Sequence, residues 1–146
     1  MYSTECPSGF QEISEFCFKM GTGEKTFDDA TKSCQELGGF LAEPRSEELS
    51  KAVKYFHQNQ NFFIGLKYNG QKDSDGNRIF LWQTDNAALS WKDWDVNQPN
   101  NRNGKQYCVG LNRKYRWDDL SCELKRGYLC QARTGKYMYS FFSQDI

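Results

Sequence analysis

The sequence has no excess charge of either sign, no long apolar run and only one histidine. It contains 19 Lys and Arg residues against 19 Asp and Glu residues, so it lacks the positive field that nucleic acid or an anionic membrane would attract. The run Phe62-Phe63-Ile64 is far shorter than the roughly 20 apolar residues that cross a bilayer. These absences predict that the protein has no membrane span and does not bind nucleic acid. Its partner would then be recognised through local contacts.

Catalysis has little support in the sequence. The single histidine, His57, lies in a segment typical of a polar helix end, and no activated nucleophile or acid–base pair stands out. We therefore predict that the protein is not an enzyme. The first residues, Met1 to Cys6, have neither a basic nor an apolar signal region, which predicts either a cytosolic protein or a mature form after signal removal.

Six cysteines decide between these compartments. They are Cys6, Cys17, Cys34, Cys108, Cys122 and Cys130. No two of them form a C-x-x-C pair of the zinc or thioredoxin kind. An even number of scattered cysteines indicates three structural disulfides and a secreted, extracellular protein, although spacing alone allows many pairings.

Two helices are predicted in the first half of the chain. Thr26 is a candidate cap for a helix from Phe27 that ends before Gly38-Gly39. Ser46 is a candidate cap for a second helix, with Glu47 and Glu48 in its first turn, where the helix dipole favours negative charge.

Short aromatic-rich strands are predicted in the second half. Their ranges are 62–66, 79–82, 107–111 and 127–132. Helices followed by strands predict an α+β fold. The segment 83–106 has neither period and is rich in Asn, Asp, Trp and Gly, and a loop of this length is usually functional.

Oxygen-bearing side chains cluster in and after this loop. Gln98-Pro99-Asn100 is followed by Gln106 and then by Trp117-Asp118-Asp119. Amide and carboxylate oxygens are the ligands that Ca²⁺ accepts, and Pro99 would fix the backbone so that both neighbours point to one place, most tightly through a cis bond.

The segment Phe63-Ile64-Gly65-Leu66 resembles the Trp-Ile-Gly-Leu signature of C-type lectin-like domains. The cysteines, Gln98-Pro99-Asn100 and Trp117-Asp118-Asp119 follow in the order of that family's landmarks, over about residues 6–131. The resemblance implies two helices flanking two small antiparallel sheets, with a long irregular loop that carries the calcium and ligand site. It implies one domain over residues 1–146, with a core at about 6–131 and a C-terminal extension at 132–146.

The resemblance also implies a disulfide pairing and a calcium site. The pairs would be Cys6–Cys17, Cys34–Cys130 and Cys108–Cys122 in the three-disulfide, long form of the domain. The calcium ligands would be Gln98, Asn100, Gln106, Asp118 and Asp119. Family sites present three acids, whereas only Asp118 and Asp119 are acidic here, so we predict a calcium dissociation constant on the order of 10⁻⁴ to 10⁻³ M or higher.

The function implied by the resemblance is calcium-dependent binding of vicinal hexose hydroxyls by a secreted lectin, as in innate immunity. The sugar contacts would be Gln98, Asn100, Gln106, Asp118 and Tyr107. Gln98 and Asn100 form a hybrid of the galactose-type and mannose-type motifs, so either class of glycan remains open. The alternative is a domain with a weak or lost calcium site that binds a protein or another surface.

Three further features have competing interpretations. Trp94 and Trp117 are interpreted as core residues of the long loop rather than as sugar-stacking rings. The segment Asp73-Ser74-Asp75-Gly76-Asn77 is interpreted as a hairpin turn rather than as the start of a calcium loop. The aromatic tail, 137–142, would provide a homodimer contact, pair with the N-terminal hairpin or be disordered.

Overall fold

The structure is a computed structural model that describes residues 5–56 and 60–134. Two α-helices lie in these ranges, α1 (Phe27–Glu36) and α2 (Glu47–Tyr55). The strands are β1 (Gln11–Ile13), β2 (Phe16–Met20), β3 (Phe40–Leu41), β4 (Phe62–Lys72), β5 (Arg78–Trp82), β6 (Cys108–Leu111), β7 (Trp117–Leu120) and β8 (Gly127–Ala132). His57 and the tail 137–142 lie outside the described residues.

Both helices begin at the predicted caps. The Thr26 hydroxyl accepts a hydrogen bond from the Asp29 N–H at 3.4 Å, and the Ser46 hydroxyl accepts one from the Leu49 N–H at 3.2 Å. Each cap satisfies an amide that the first helical turn leaves free. After α1 the chain turns at Gly38, whose φ of +88° is in the region that favours glycine.

The strands form two antiparallel groups, as predicted for an α+β fold. One group contains β1, β2, β8 and β3, and the other contains β5, β4, β6 and β7. A short parallel pairing between β4 and β8 joins the groups into one sheet. Strand β4 extends beyond the predicted range 62–66 because its polar half, to Lys72, pairs with β5 across a hairpin.

The segment Phe63-Ile64-Gly65-Leu66 lies in the buried first half of β4. Its three large side chains are fully buried. A Cβ atom on residue 65 would lie only 2.8 Å from the carbonyl oxygen of Leu41, so a side chain there would push β3 away. The motif therefore combines core packing with a close backbone contact that only glycine permits.

The structure contains the three disulfides that the resemblance implies. They join Cys6 to Cys17, Cys34 to Cys130 and Cys108 to Cys122. Cys34 lies on α1 and Cys130 on β8, so their bond links the first helix to the last strand over a sequence separation of 96. Among residues 5–56 and 60–134, no helix is long and apolar enough to cross a membrane.

A buried carboxylate connects β3 to the long loop. Glu43 is 3% exposed, and its carboxylate accepts hydrogen bonds from Arg45, at 2.6 and 3.0 Å, and from the backbone and hydroxyl of Thr84. Burial raises the pKa of Glu43, and the hydrogen bond from Arg45 opposes that rise. The ion pair with Arg45 thus offsets the cost of burying the charge of Glu43 where the long loop begins.

Loss of the Cys34–Cys130 disulfide should destabilise the domain strongly. In the chain-entropy model, a loop near 100 residues contributes about 4.7 kcal/mol, against about 3 kcal/mol for a loop of about 15 residues. We expect the double variant Cys34→Ala/Cys130→Ala to lose more free energy of unfolding than Cys6→Ala/Cys17→Ala does. Urea denaturation of both variants measures the difference, and equal losses would contradict the prediction.

The variant Arg45→Ala should have a pH-dependent stability defect. At pH 7 it leaves the Glu43 carboxylate buried without its cation, at a cost of about 3 kcal/mol. Because burial raises the folded-state pKa of Glu43 above its unfolded value, protonation on acidification favours the folded state, and the defect relative to wild type should shrink near pH 5.

Urea denaturation at both pH values measures this defect. Lys51→Ala, which removes an exposed cation from α2, is the control and should lose less than about 0.5 kcal/mol at either pH. A defect of Arg45→Ala that grows on acidification would refute the interpretation.

Candidate functional site

Four tryptophans hold the long loop, 83–106, against the sheet. Trp117 is fully buried on β7, and its ring lies edge-on to those of Trp82, Trp91 and Trp94 at centroid distances of 5.5 to 5.8 Å. The backbone on either side of Trp94 pairs with that of Trp117. The N–H of Asp95 donates to the carbonyl oxygen of Trp117, and the N–H of Trp117 donates to the carbonyl oxygen of Asp93. The interpretation of Trp94 and Trp117 as core residues of the loop agrees with this packing.

An ion-pair cluster adds a second attachment for the loop. The carboxylate of Asp93 is 7% exposed and contacts Lys54 of α2 at 3.0 Å and Arg116 at 2.6 Å. One loop residue therefore binds both a helix and the turn that precedes β7. Since the carboxylate is nearly buried, these two cations offset the cost of removing it from water.

These attachments leave a depression of about 760 Å³ between the long loop and the β4–β5 hairpin, which we call the loop cleft. Its wall combines amide side chains with aromatic rings. The residues that define it here are Tyr68, Asn77, Arg78, Trp94, Gln98, Asn100, Asn101 and Tyr107. Small-molecule sites typically measure about 300 to 1,000 Å³, so the loop cleft has the size of a small-molecule site.

The β4–β5 hairpin turn contains the Asp73-Ser74-Asp75-Gly76-Asn77 segment. The carboxylate of Asp73 accepts hydrogen bonds from the N–H groups of Asp75 and Asn77, both at 2.9 Å. Gly76 adopts a φ of +83° in this turn. The carboxylate of Asp73 therefore stabilises the hairpin turn by accepting its backbone N–H groups.

Asp119 is a buried acid that is hydrogen-bonded to three residues of the loop cleft. Its side chain is 1% exposed. It accepts hydrogen bonds from the backbone N–H groups of Asn100, at 3.1 Å, and Asn101, at 2.7 Å. A guanidinium N–H of Arg78 donates to the same carboxylate. Both carboxylate oxygens are therefore occupied by donors from the chain itself.

Arg78 was not among the residues that the sequence pattern indicated. Its guanidinium binds Asp119 and donates to the carbonyl oxygen of Gln106 at 2.7 Å. It also lies 5.2 Å from the ring centre of Tyr68 and 4.9 Å from that of Phe80. An arginine at the start of a strand carries no local signal, since its partner Asp119 is 41 positions away.

The three amide residues of the predicted calcium site lie near Asp119, and two of them are engaged within the loop. The side-chain oxygens of Asn100 and Gln106 both accept from the N–H of Arg102, at 3.1 and 2.7 Å. The peptide bond between Gln98 and Pro99 is cis. The buried side-chain oxygen of Gln98 has no hydrogen-bond partner among the described residues.

Asp118 lies on the other side of β7. Side chains alternate along a strand, so Trp117 and Asp119 face inward, while Asp118 faces a separate small depression with Asn61 and Arg126. Burial raises the pKa of Asp118, and the negative charges of Asp119 and Asp95 add to that rise. The structure therefore brings Gln98, Asn100, Gln106 and Asp119 together and leaves Asp118 apart from them.

This arrangement does not fit a calcium ion. Of the two predicted acidic ligands, Asp119 is neutralised by Arg78, and Asp118 lines a different depression. A calcium ion needs six to eight oxygen ligands, but Asn100 and Gln106 have turned theirs toward a backbone amide. Calcium binding by the five predicted residues stays a prediction, and it requires Arg78 to leave Asp119.

Tyr107 lies at the rim of the loop cleft immediately before β6. It is 44% exposed, and its ring meets that of Tyr68 edge-on at a centroid distance of 5.4 Å. The contact with Tyr68 orients the Tyr107 ring while leaving much of it accessible. An oriented, half-exposed ring is suited to stacking on the apolar face of a ligand.

Comparisons with known proteins agree with this architecture. The sequence model of the lectin C-type domain matches residues 23–132. The C-type lectin Cal of Crotalus atrox is 31% identical over 139 residues, which cover 88% of this chain and 98% of that protein. The chain therefore belongs to the C-type lectin domain family, and its two helices and linked antiparallel sheets are the fold of that family.

Solved structures give the same result for the fold. The carbohydrate-recognition domain of mouse scavenger receptor C-type lectin has a TM-score of 0.78 at 22% identity, with 89% of this chain and 99% of that chain covered. The cow C-type carbohydrate-recognition domain of CD23, solved in the presence of a GlcNAc2Man3 oligosaccharide, has a TM-score of 0.76 at 25% identity. The matched residues cover 89% of this chain and 97% of the CD23 domain.

Two adjacent acids should differ sharply in their contribution to stability. Asp119→Ala leaves Arg78 without its buried partner and removes the acceptor of two loop amides, so we expect a loss of about 3 to 5 kcal/mol. Asp118→Ala removes the same charge from a partly exposed position and should change stability by less than about 1 kcal/mol. Urea denaturation of both variants measures the contrast, and equal effects would contradict the role assigned to Asp119.

Proposed function

We propose that this protein is a non-catalytic glycan-recognition domain that binds sugar hydroxyls in the loop cleft. The observation that carries the proposal is the side-chain oxygen of Gln98, which is buried and lacks a hydrogen-bond partner among the described residues, on a residue that lines the loop cleft. A buried polar atom without a partner costs free energy, and a ligand donor would remove that cost. A sugar hydroxyl is a donor of suitable size.

The other walls of the loop cleft suit the same ligand. Asn100 supplies a second amide, and a sugar hydroxyl can donate to one amide oxygen while accepting from another amide NH₂. Tyr107 offers an oriented ring for the apolar face of a hexose. The proposed contacts are therefore Gln98, Asn100 and Tyr107, and they act on the sugar directly rather than through an ion.

The family relationship supports this class of ligand. The cow CD23 domain was solved in the presence of an oligosaccharide, and it shares 25% identity with this chain. The three disulfides support a place for the protein in an oxidising compartment, and we propose that it is secreted. Binding of mannose-type or galactose-type glycans outside the cell is thus the proposed activity.

Recognition of a protein surface is the second candidate. Val96, on the long loop, is 80% exposed. Its neighbour Asp95 accepts a hydrogen bond at 2.8 Å from Asn112, in the turn that contains the 39% exposed Tyr115. Exposed apolar groups on connected loops favour a protein contact at that edge.

A glycan array probed with the full chain tests the proposal. We expect binding that Gln98→Leu weakens by about 3- to 10-fold, because one hydrogen bond contributes about 0.5 to 1.5 kcal/mol. The thermal stability of Gln98→Leu should be no lower than that of wild type, since the substitution removes a buried oxygen that has no partner among the described residues. Gln35→Leu, which changes an exposed glutamine of α1, is the matched control and should bind as wild type does.

Two outcomes would overturn the proposal. The first is no glycan signal for the wild type at millimolar calcium, which would favour the protein-binding candidate. The second is wild-type affinity in Gln98→Leu, which would move the sugar out of the loop cleft. Repeating the array with a chelator compares direct binding with the calcium-dependent binding implied by the family resemblance.

A further inference from the structure

We infer that Arg78 is a built-in cation that takes the place of a metal ion at Asp119, so that the long loop keeps its conformation without calcium. The inference concerns the conformation of the loop and does not depend on which ligand the loop cleft binds. It begins from the mismatch between the predicted calcium site and the contacts of Asp119. The carboxylate in question is 1% exposed and requires a positive partner.

Arg78 is held firmly enough to act as a fixed charge. Its side chain is 9% exposed and lies against the rings of Tyr68 and Phe80. Rings at these distances attract a cation and restrict its movement. The guanidinium is a planar cation whose N–H donors match the geometry of a carboxylate.

The contacts of Arg78 join the segments that a metal ion would join. Through Asp119 it reaches β7, and through the carbonyl oxygen of Gln106 it reaches the end of the long loop. Asp119 in turn accepts the N–H groups of Asn100 and Asn101, directly after Pro99. One arginine therefore fixes both the middle and the end of the loop to the sheet.

Calcium would compete with this arrangement at a disadvantage. To reach Asp119 it must displace a guanidinium that makes two hydrogen bonds and contacts two rings. The displaced arginine starts β5, so its positive charge would stay close to the ion and repel it. The geometry therefore favours the arginine over the ion at millimolar calcium.

Limited trypsin digestion tests the inference, because Lys92, Arg102 and Lys105 provide cleavage sites inside the long loop. In wild type, the rate of cleavage at these sites should be the same in millimolar calcium and in chelator. In Arg78→Ala the rate in chelator should rise at least about 10-fold, since Asp119 loses its cation and releases the loop. Arg113→Ala removes an exposed arginine from the β6–β7 turn and should behave as wild type.

A calcium titration by calorimetry provides an independent measurement on the wild-type chain. We expect no saturable heat up to millimolar calcium, and this result is meaningful even if Arg78→Ala fails to fold. Arg78→Lys keeps the positive charge but loses the two-point contact, and it should remain insensitive to calcium while its loop is cleaved faster than that of wild type.

Three results would overturn the inference. They are saturable calcium binding by the wild-type chain, protection of its loop by calcium against trypsin, and a loop in Arg78→Ala as resistant as that of wild type. Glycan binding enters none of these measurements. A failure here is therefore distinguishable from a failure of the proposed function.

Discussion

The buried charge of Asp119 is the constraint on which the conformation of the long loop depends. A carboxylate with 1% exposure is costly unless its oxygens receive charged or strongly polar donors. The chain meets this requirement with one guanidinium and two consecutive backbone amides. Because those amides belong to Asn100 and Asn101, the same interaction determines the path of the loop after Pro99.

The rest of the fold holds Asp119 where this pairing can occur. Trp117 and Asp119 share one face of β7, where Trp117 packs in the aromatic cluster and Asp119 meets Arg78 and the amides of the long loop. The Cys108–Cys122 disulfide ties the start of β6 to the segment that follows β7. Packing, a covalent link and a buried ion pair thus act together on two short strands, β6 and β7.

Much of this architecture could be predicted from the sequence, because the signals were local. Thr26 and Ser46 are confirmed as helix caps, since a capping hydroxyl acts only on amides a few residues away. The range of β8 is confirmed as 127–132, whereas β4 was predicted too short because its polar half is stabilised by pairing rather than by burial. The disulfide pairing followed from the family resemblance, since spacing left it open.

The contacts of the candidate site were harder to predict from the sequence, because they join residues that are far apart along the chain. The pattern indicated Gln98, Asn100, Gln106 and Asp119 as neighbours, and the structure brings these four together. It did not indicate that Asp118 faces another depression, because no strand was predicted at 117–120, and it is the alternation of a strand that turns Asp118 and Asp119 to opposite faces. Nor did it indicate Arg78, which reaches Asp119 only when β5 and β7 approach each other.

The sequence by itself determined the class of fold and the group of oxygen-bearing residues around the loop. Those properties follow from residue type and spacing along one chain. Only the tertiary structure decided which cation meets the buried acid of that group. That choice depends on the distance between side chains 41 positions apart, and the folding of the sheet sets that distance.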